Sequence, residues 1–151
     1  MFRGANSINL DSKGRIAIPG KYRPSISESA DCHLIITCDP YDNCLLIFSL
    51  ADWEATEADL QSLSNSKPLH RRLKRIMLSH ATEVDMDSNG RLLIPSVLRD
   101  RAKLKKDVML IGQGKTFQLW DEANWKALVE EDMAVMSSDE LDSDELPDLY
   151  Y

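Results

Sequence analysis

Two arginines in this chain follow nearly identical turns. Asp11-Ser12-Lys13-Gly14-Arg15 and Asp87-Ser88-Asn89-Gly90-Arg91 share the string Asp-x-x-Gly-Arg. An Asp at the first turn position accepts hydrogen bonds from the turn backbone, and the Gly supplies the positive φ that closes a tight hairpin. The Arg then leaves from the first residue of the next strand. A guanidinium is always charged and offers a rigid fork of donors, matched to a phosphate or to the O6 and N7 edge of guanine. Lys13 adds a point charge at the first tip, which makes it the stronger phosphate contact. Asn89 at the matching place suits an adenine edge. A plainer reading stands beside this one: Asp-x-x-Gly is a common turn, and Arg15 and Arg91 can simply pair with Asp11 and Asp87. Repetition of the polar tip favours presentation to a ligand, because packing preserves aliphatics and Pro but has little need for Ser and Arg at an exposed tip.

Other chemistry finds little support. Cys32, Cys38 and Cys44 are an odd number with no C-x-x-C spacing, and His33 would point to the opposite strand face from Cys32. The thiols read as small packed hydrophobes, and no metal is expected. His33, His70 and His80 are scattered, so no nucleophile–base–acid set can be assembled. Gly112-Gln113-Gly114 is a lone G-x-G without the third glycine of a dinucleotide site. No cofactor is expected, and the chain reads as something other than an enzyme. Trp53, Trp120 and Trp125 read as core or subunit-interface aromatics.

The turns belong to a duplicated segment. INLDSKGRIAIPGKYR from Ile8 to Arg23 matches VDMDSNGRLLIPSVLR from Val84 to Arg99 at an offset of 76. The match resumes with Leu34–Thr37 against Val108–Ile111, and with Phe48–Trp53 against Trp120–Trp125. Each copy predicts a short strand (Ser7 to Leu10; Glu83 to Met86), the turn, and a second strand (Arg15 to Ile18; Arg91 to Ile94). Pro19 and Pro95 close that strand and can open a short helix. Pro24 falls inside the first copy's helix, which should be shorter or kinked. Two more strands follow, Cys32–Cys38 and Cys44–Phe48, then Asp107–Ile111 and Thr116–Trp120. Their expected hairpin turns are Asp39–Asn43 and Gly112–Lys115. Each copy ends in a helix carrying Trp53 or Trp125. One copy is too small to stand alone, so the copies should pair about a pseudo-two-fold axis and share a barrel-like core. Its candidates are Ile16, Ile18, Leu34, Ile36, Leu92, Ile94, Val108 and Leu110. Between the copies, Leu69, Leu73, Ile76, Met77 and His80 form an apolar helical stripe. Lys67, Arg71, Arg72, Lys74 and Arg75 take the other faces. That basic cluster reads as a solvated face, or as a lining for nucleic acid or for a neighbouring subunit's acids.

The net charge of −7 does not exclude an anionic partner. Nine acids and no Lys or Arg lie between Glu130 and Tyr151, and without them the body carries about +2. No apolar run approaches the ~20 residues that span a bilayer, and Met1–Asn6 has no signal-peptide h-region. The expectation is a cytoplasmic protein.

LDSKGRIAIP and MDSNGRLLIP resemble the paired Asp-x-x-x-Arg motifs of the MraZ family, within the AbrB-like swapped-hairpin regulators. The opening MFRGANSINLDSKGRIAIP, the tandem repeat, the basic middle helix and the length fit as well, so the resemblance covers residues 1 to about 135. It implies a mainly β (α+β) fold in which tandem half-modules form a double-split β-barrel with short flanking helices. The division expected is 1–55 for the first module, 56–82 for the connecting basic helix, 83–135 for the second module and 136–151 for an acidic, disordered tail. The resemblance further implies a nucleoid-associated, sequence-specific repressor. It would bind double-stranded DNA at promoter direct repeats upstream of the division and cell-wall gene cluster, as a ring-shaped homo-oligomer. The DNA contacts implied are Asp11, Lys13 and Arg15, and by repetition Asp87 and Arg91. Asn89 and Arg3 complete the candidate set. The alternative is an interaction module of antitoxin or scaffold type whose acidic tail clamps a partner.

Overall fold

The computed structural model describes residues 1–138 and 143–149. The elements run β1 (Phe2–Asn9), β2 (Arg15–Ala17), α1 (Arg23–Ala30), β3 (His33–Cys38), β4 (Leu45–Ser49), α2 (Leu50–Ser62), α3 (Pro68–His80), β5 (Thr82–Asp85), β6 (Arg91–Leu93), α4 (Ser96–Arg101), β7 (Asp107–Gly114), β8 (Thr116–Asp121) and α5 (Glu122–Met136), with a 3₁₀ turn at Ser143–Glu145. The fold is mixed α+β and dominated by antiparallel strands. No helix among the described residues is long and apolar enough to cross a membrane. Of the acidic tail expected from 136 onward, residues 139–142 and 150–151 lie outside the described residues.

The two copies exchange strands. Six strands form one sheet in the order β1-β7-β8-β4-β3-β5, and β2 pairs with β6 in a separate ribbon. The first strand of each copy therefore joins the other copy: β1 lies against β7, and β5 against β3. Reversing the order while swapping equivalent strands returns the same sheet, which is the signature of a pseudo-two-fold axis. The register places that axis. Ile16 stands opposite its own repeat equivalent Leu92 at the centre of the ribbon, and Leu46 opposite its equivalent Gln118 at the centre of the β4–β8 pairing.

One core fills the space between ribbon and sheet. It contains all eight aliphatics expected there, with Ile16, Ile18, Ile36, Leu92, Ile94, Val108 and Leu110 each fully buried. Two satellite clusters lie on the sheet's other side, one around Phe48 and Trp53, the other around Trp120 with Trp125 against it. Each is introduced by a repeated cap. Ser49 accepts from the Asp52 amide to start α2, and the buried Asp121 accepts from the Asn124 amide to start α5. Helix α3 packs on the first cluster, where the Thr37 hydroxyl donates to the Met77 carbonyl at 2.6 Å, and its Ile76 also reaches the main core. Cys38 and Cys44 are buried and Cys32 partly so, all as free thiols.

Four local expectations are corrected. Strand β1 begins at Phe2 rather than Ser7, because its eight-residue ladder to β7 extends it beyond its own alternating pattern. Helix α1 has eight residues against six in α4. Pro24 sits in its first turn, where no intrahelical N–H is required, so it starts the helix instead of shortening it. Gly112, Gln113 and Gly114 belong to β7, and the pairing of Gln113 with Thr116 leaves a two-residue hairpin turn at Gly114-Lys115. A Cβ at Gly112 would lie 2.4 Å from the Arg3 amide nitrogen, so glycine there admits strand β1. Leu69 leaves the apolar stripe of α3 and is 74% exposed, since the packed face begins one turn later at Leu73, Ile76 and Met77.

Ile16→Ala or Leu92→Ala removes a side chain at the shared axis. Each should lower unfolding free energy in urea by about 2–5 kcal/mol, as for fully buried aliphatics truncated to Ala. An unchanged midpoint and slope would show that the ribbon does not close the core.

Candidate nucleic-acid interface

The repeated turns form as their composition dictates. Gly14 has φ +82° and Gly90 φ +74°. The Gly14 amide donates to the Asp11 carbonyl at 3.0 Å, and the Gly90 amide to the Asp87 carbonyl at 2.9 Å. The Asp11 carboxylate then accepts the amides of Lys13 and Arg15, both at 2.9 Å. Asp87 accepts those of Asn89 and Arg91 at 2.8 and 2.9 Å. Each Asp thus ties down the backbone of its entire tip.

The same carboxylates reach the arginines. Arg15 Nε donates to Asp11 Oδ2 at 2.8 Å, whereas Arg91 Nε lies 3.6 Å from Asp87 Oδ2, an ion pair without a hydrogen bond. Arg15 therefore pairs with its Asp, as the plainer reading expected. The Asp holds the Nε edge, and the terminal nitrogens make no hydrogen bond among the described residues. Both side chains remain about one-third exposed.

The ribbon brings the two tips together. Ile16 and Leu92 point into the core, so strand alternation sends Arg15, Ala17, Arg91 and Leu93 to the opposite face. Arg15 stands across from Leu93, and Arg91 across from Ala17. The two arginines are therefore diagonal neighbours, about 7 Å apart along the strand direction. Lys13 and Asn89 are exposed at the two turns. The Arg15 charge also contributes to holding the Asp87 carboxyl down, which places it within electrostatic reach of the other copy's turn.

Arg3 is not brought to this face by the β2–β6 pairing. It lies near the start of β1 opposite Gln113, and its carbonyl accepts the Tyr22 hydroxyl. The basic cluster of α3 divides. Lys74 donates to the Leu63 carbonyl and Asn65 Oδ1, and Arg71 to the Asn65 carbonyl, so both tie down the turn between α2 and α3. Arg72 and Arg75 are exposed. His33 pairs with Asp85 across β3 and β5 at 2.5 Å. Sequence reading passed over Arg23 and Arg99 as site residues. Each lies against the turn glycine of the opposite copy. Their match at the repeat offset was the available signal.

The family profile described as "MraZ protein, putative antitoxin-like" matches residues 1–76 and again 77–147. A protein of Histophilus somni (strain 129Pt) named Transcriptional regulator MraZ is 49% identical over 138 residues, covering 91% of each chain. One of the same name from Shewanella amazonensis (strain ATCC BAA-1098 / SB2B) is 48% identical over 96% of this chain and 95% of its own. A third, from Pseudomonas syringae pv. syringae (strain B728a), is 46% identical over 99% of both.

Backbone donation, from Arg15 to Asp11 and from Arg91 to Asp87, leads the causes that hold both carboxyls below the usual carboxylate range. A carboxyl depressed on folding contributes stability above its unfolded pKa, and that contribution is lost as pH falls through the folded value. NMR titration should give both groups midpoints below that of free aspartate (about 3.9). The turns should loosen only on acidification beyond it. Midpoints at or above the free value would mean the Asp cradles are not formed in solution.

Proposed function

The chain belongs to the MraZ family, and from that membership and the paired arginine tips we propose that it is a transcriptional regulator that binds double-stranded DNA through the β2–β6 ribbon. The observation that carries this reading is the placement of Arg15 and Arg91 on one exposed face of a rigid two-stranded ribbon. The major groove admits such a ribbon. Their offset of about 7 Å equals two base steps at ~3.4 Å per step. In this reading Arg15 and Arg91 read guanine edges or grip phosphate. Lys13 adds a phosphate contact, Asn89 addresses an adenine edge, and Asp11 and Asp87 orient the arginines. Arg3 serves as an outlying contact at most, since it lies off the ribbon.

Two tips give one subunit little affinity. Consecutive promoter repeats engaged by an oligomer raise it through effective concentration. Self-association has candidate surfaces of opposite character. The exposed Arg72, Arg75 and Leu69 lie on α3; Glu130, Glu131, Met133 and Met136 lie on α5. Contact between unlike faces is heterologous and closes into a ring when its rotation permits. Repression at repeats upstream of the division and cell-wall gene cluster, in the cytoplasm at the nucleoid, completes the proposal.

In electrophoretic titrations at about 150 mM salt, Arg15→Ala should cost about 1–3 kcal/mol per engaged contact and relax sequence preference. Lys13→Ala should weaken all sequences alike and reduce the salt slope by about one. Wild-type affinity in both variants would remove the tips from the interface. Deletion of 137–151 should preserve DNA affinity or raise it slightly through lost repulsion. An interaction module of antitoxin type would instead lose its partner on that deletion.

A further inference from the structure

Arg23 and Arg99 occupy equivalent repeat positions, Arg23 at the start of α1 and Arg99 within α4, yet neither serves its own copy's turn. A Cβ built at Gly14 would lie 2.7 Å from Cζ and 2.9 Å from Nη1 of Arg99. A Cβ built at Gly90 would lie 2.2 Å from Nε and 2.4 Å from Cζ of Arg23. Each guanidinium therefore fills the space where a side chain would stand on the other copy's tip. Positive φ alone asks for glycine at these turns, and the crossing arginine is a second, independent reason.

The hydrogen bonds follow the same crossing. The Ile94 amide donates to the Gly14 carbonyl at 2.9 Å, and the Ile18 amide to the Gly90 carbonyl at 2.8 Å. Ile94 leads through Pro95 into α4 and Arg99; Ile18 leads through Pro19 toward α1 and Arg23. In the first copy the circuit closes: Arg23 Nε donates to the Ile18 carbonyl at 2.7 Å. The Ile18 residue thus holds Gly90 with its N–H and Arg23 with its C=O, and Arg23 in turn backs Gly90. In the second copy Arg99 packs against Gly14, but its buried Nε has no hydrogen-bond partner among the described residues.

We propose that Arg23 and Arg99 are crossed positioning residues: Arg99 sets the Lys13/Arg15 tip, and Arg23 sets the Asn89/Arg91 tip. The two tips are thereby fixed relative to one another as one unit, with neither arginine needing to touch the nucleic acid. The planar guanidinium is required because several of its atoms lie against the glycine at once, and in Arg23 its Nε edge also reaches a carbonyl. An ammonium keeps the charge but not the plane. The effect on DNA rests on the reading of the tips as DNA contacts; the crossed backing of the turns does not.

The test uses the full chain and two separate readouts. Amide hydrogen exchange by NMR follows Gly14 and Arg15 against Gly90 and Arg91 in Arg99→Ala, Arg99→Lys, Arg23→Ala and Arg23→Lys. The Arg99 variants should speed exchange at Gly14 and Arg15 by about two- to tenfold, the range one hydrogen bond or packed contact commands, and leave Gly90 and Arg91 unchanged. The Arg23 variants should do the reverse. Loosening of each variant's own copy, equal loosening of both tips, or full protection in the Lys variants overturns the proposal. Titrations with duplex DNA carrying the chain's own promoter repeats then follow double mutants. Arg99→Ala should be non-additive with Arg15→Ala and additive with Arg91→Ala, and Arg23→Ala the converse. Crossed exchange with unchanged DNA affinity sinks the reading of the tips while the crossed backing stands. Lost affinity without crossed exchange sinks the backing alone.

Discussion

Ile16 facing Leu92, flanked by Arg15 facing Leu93 and Ala17 facing Arg91, makes a ribbon of only three residue pairs, and much of the molecule depends on it. Each hairpin has one apolar face, and a single copy has too little surface to bury it. Meeting its own repeat solves the problem on both sides at once. The inward residues close the core, and the outward ones become a single surface. Hydrogen bonds from Ile18 to Gly90 and from Ile94 to Gly14 extend the ribbon into both turns. The tips cannot then move independently of the core that anchors them.

Exchange of the first strands reinforces this. Because β1 adds to β7 and β5 to β3, each copy's Asp-x-x-Gly-Arg turn joins a strand held in the sheet to a strand held in the ribbon, both paired with the other copy. Separating the copies would break both sheet edges as well as the ribbon. A rigid platform of this kind carries charged side chains at low entropic cost. Less is lost on binding when the geometry is already fixed.

Within that symmetry the two tips are not equal. Lys13 has Asn89 as its repeat counterpart, and the Arg15 side chain is hydrogen-bonded to its Asp while the Arg91 side chain is only ion-paired. The surroundings differ too: α3 covers the cluster beneath α2, while among the described residues α5 has no helix equivalent to α3 above it. The first tip thus carries two cationic side chains, and the second one cation beside a neutral amide.

Much of this was legible in the residues. The repeat, the turns, the eight core aliphatics and the capped helices after β4 and β8 are written in local spacing, where a glycine, a proline or a period of two acts through its immediate neighbours. The candidate tip residues were legible for the same reason. The tertiary structure alone decided which strand pairs with which, how far β1 extends, that Leu69 stays in solvent and that Arg23 and Arg99 serve the opposite turn. Those outcomes depend on surfaces that meet across long stretches of chain, as Asn6 meets the Leu110 carbonyl. No local preference encodes a contact whose partner arrives only when the two copies close on one another.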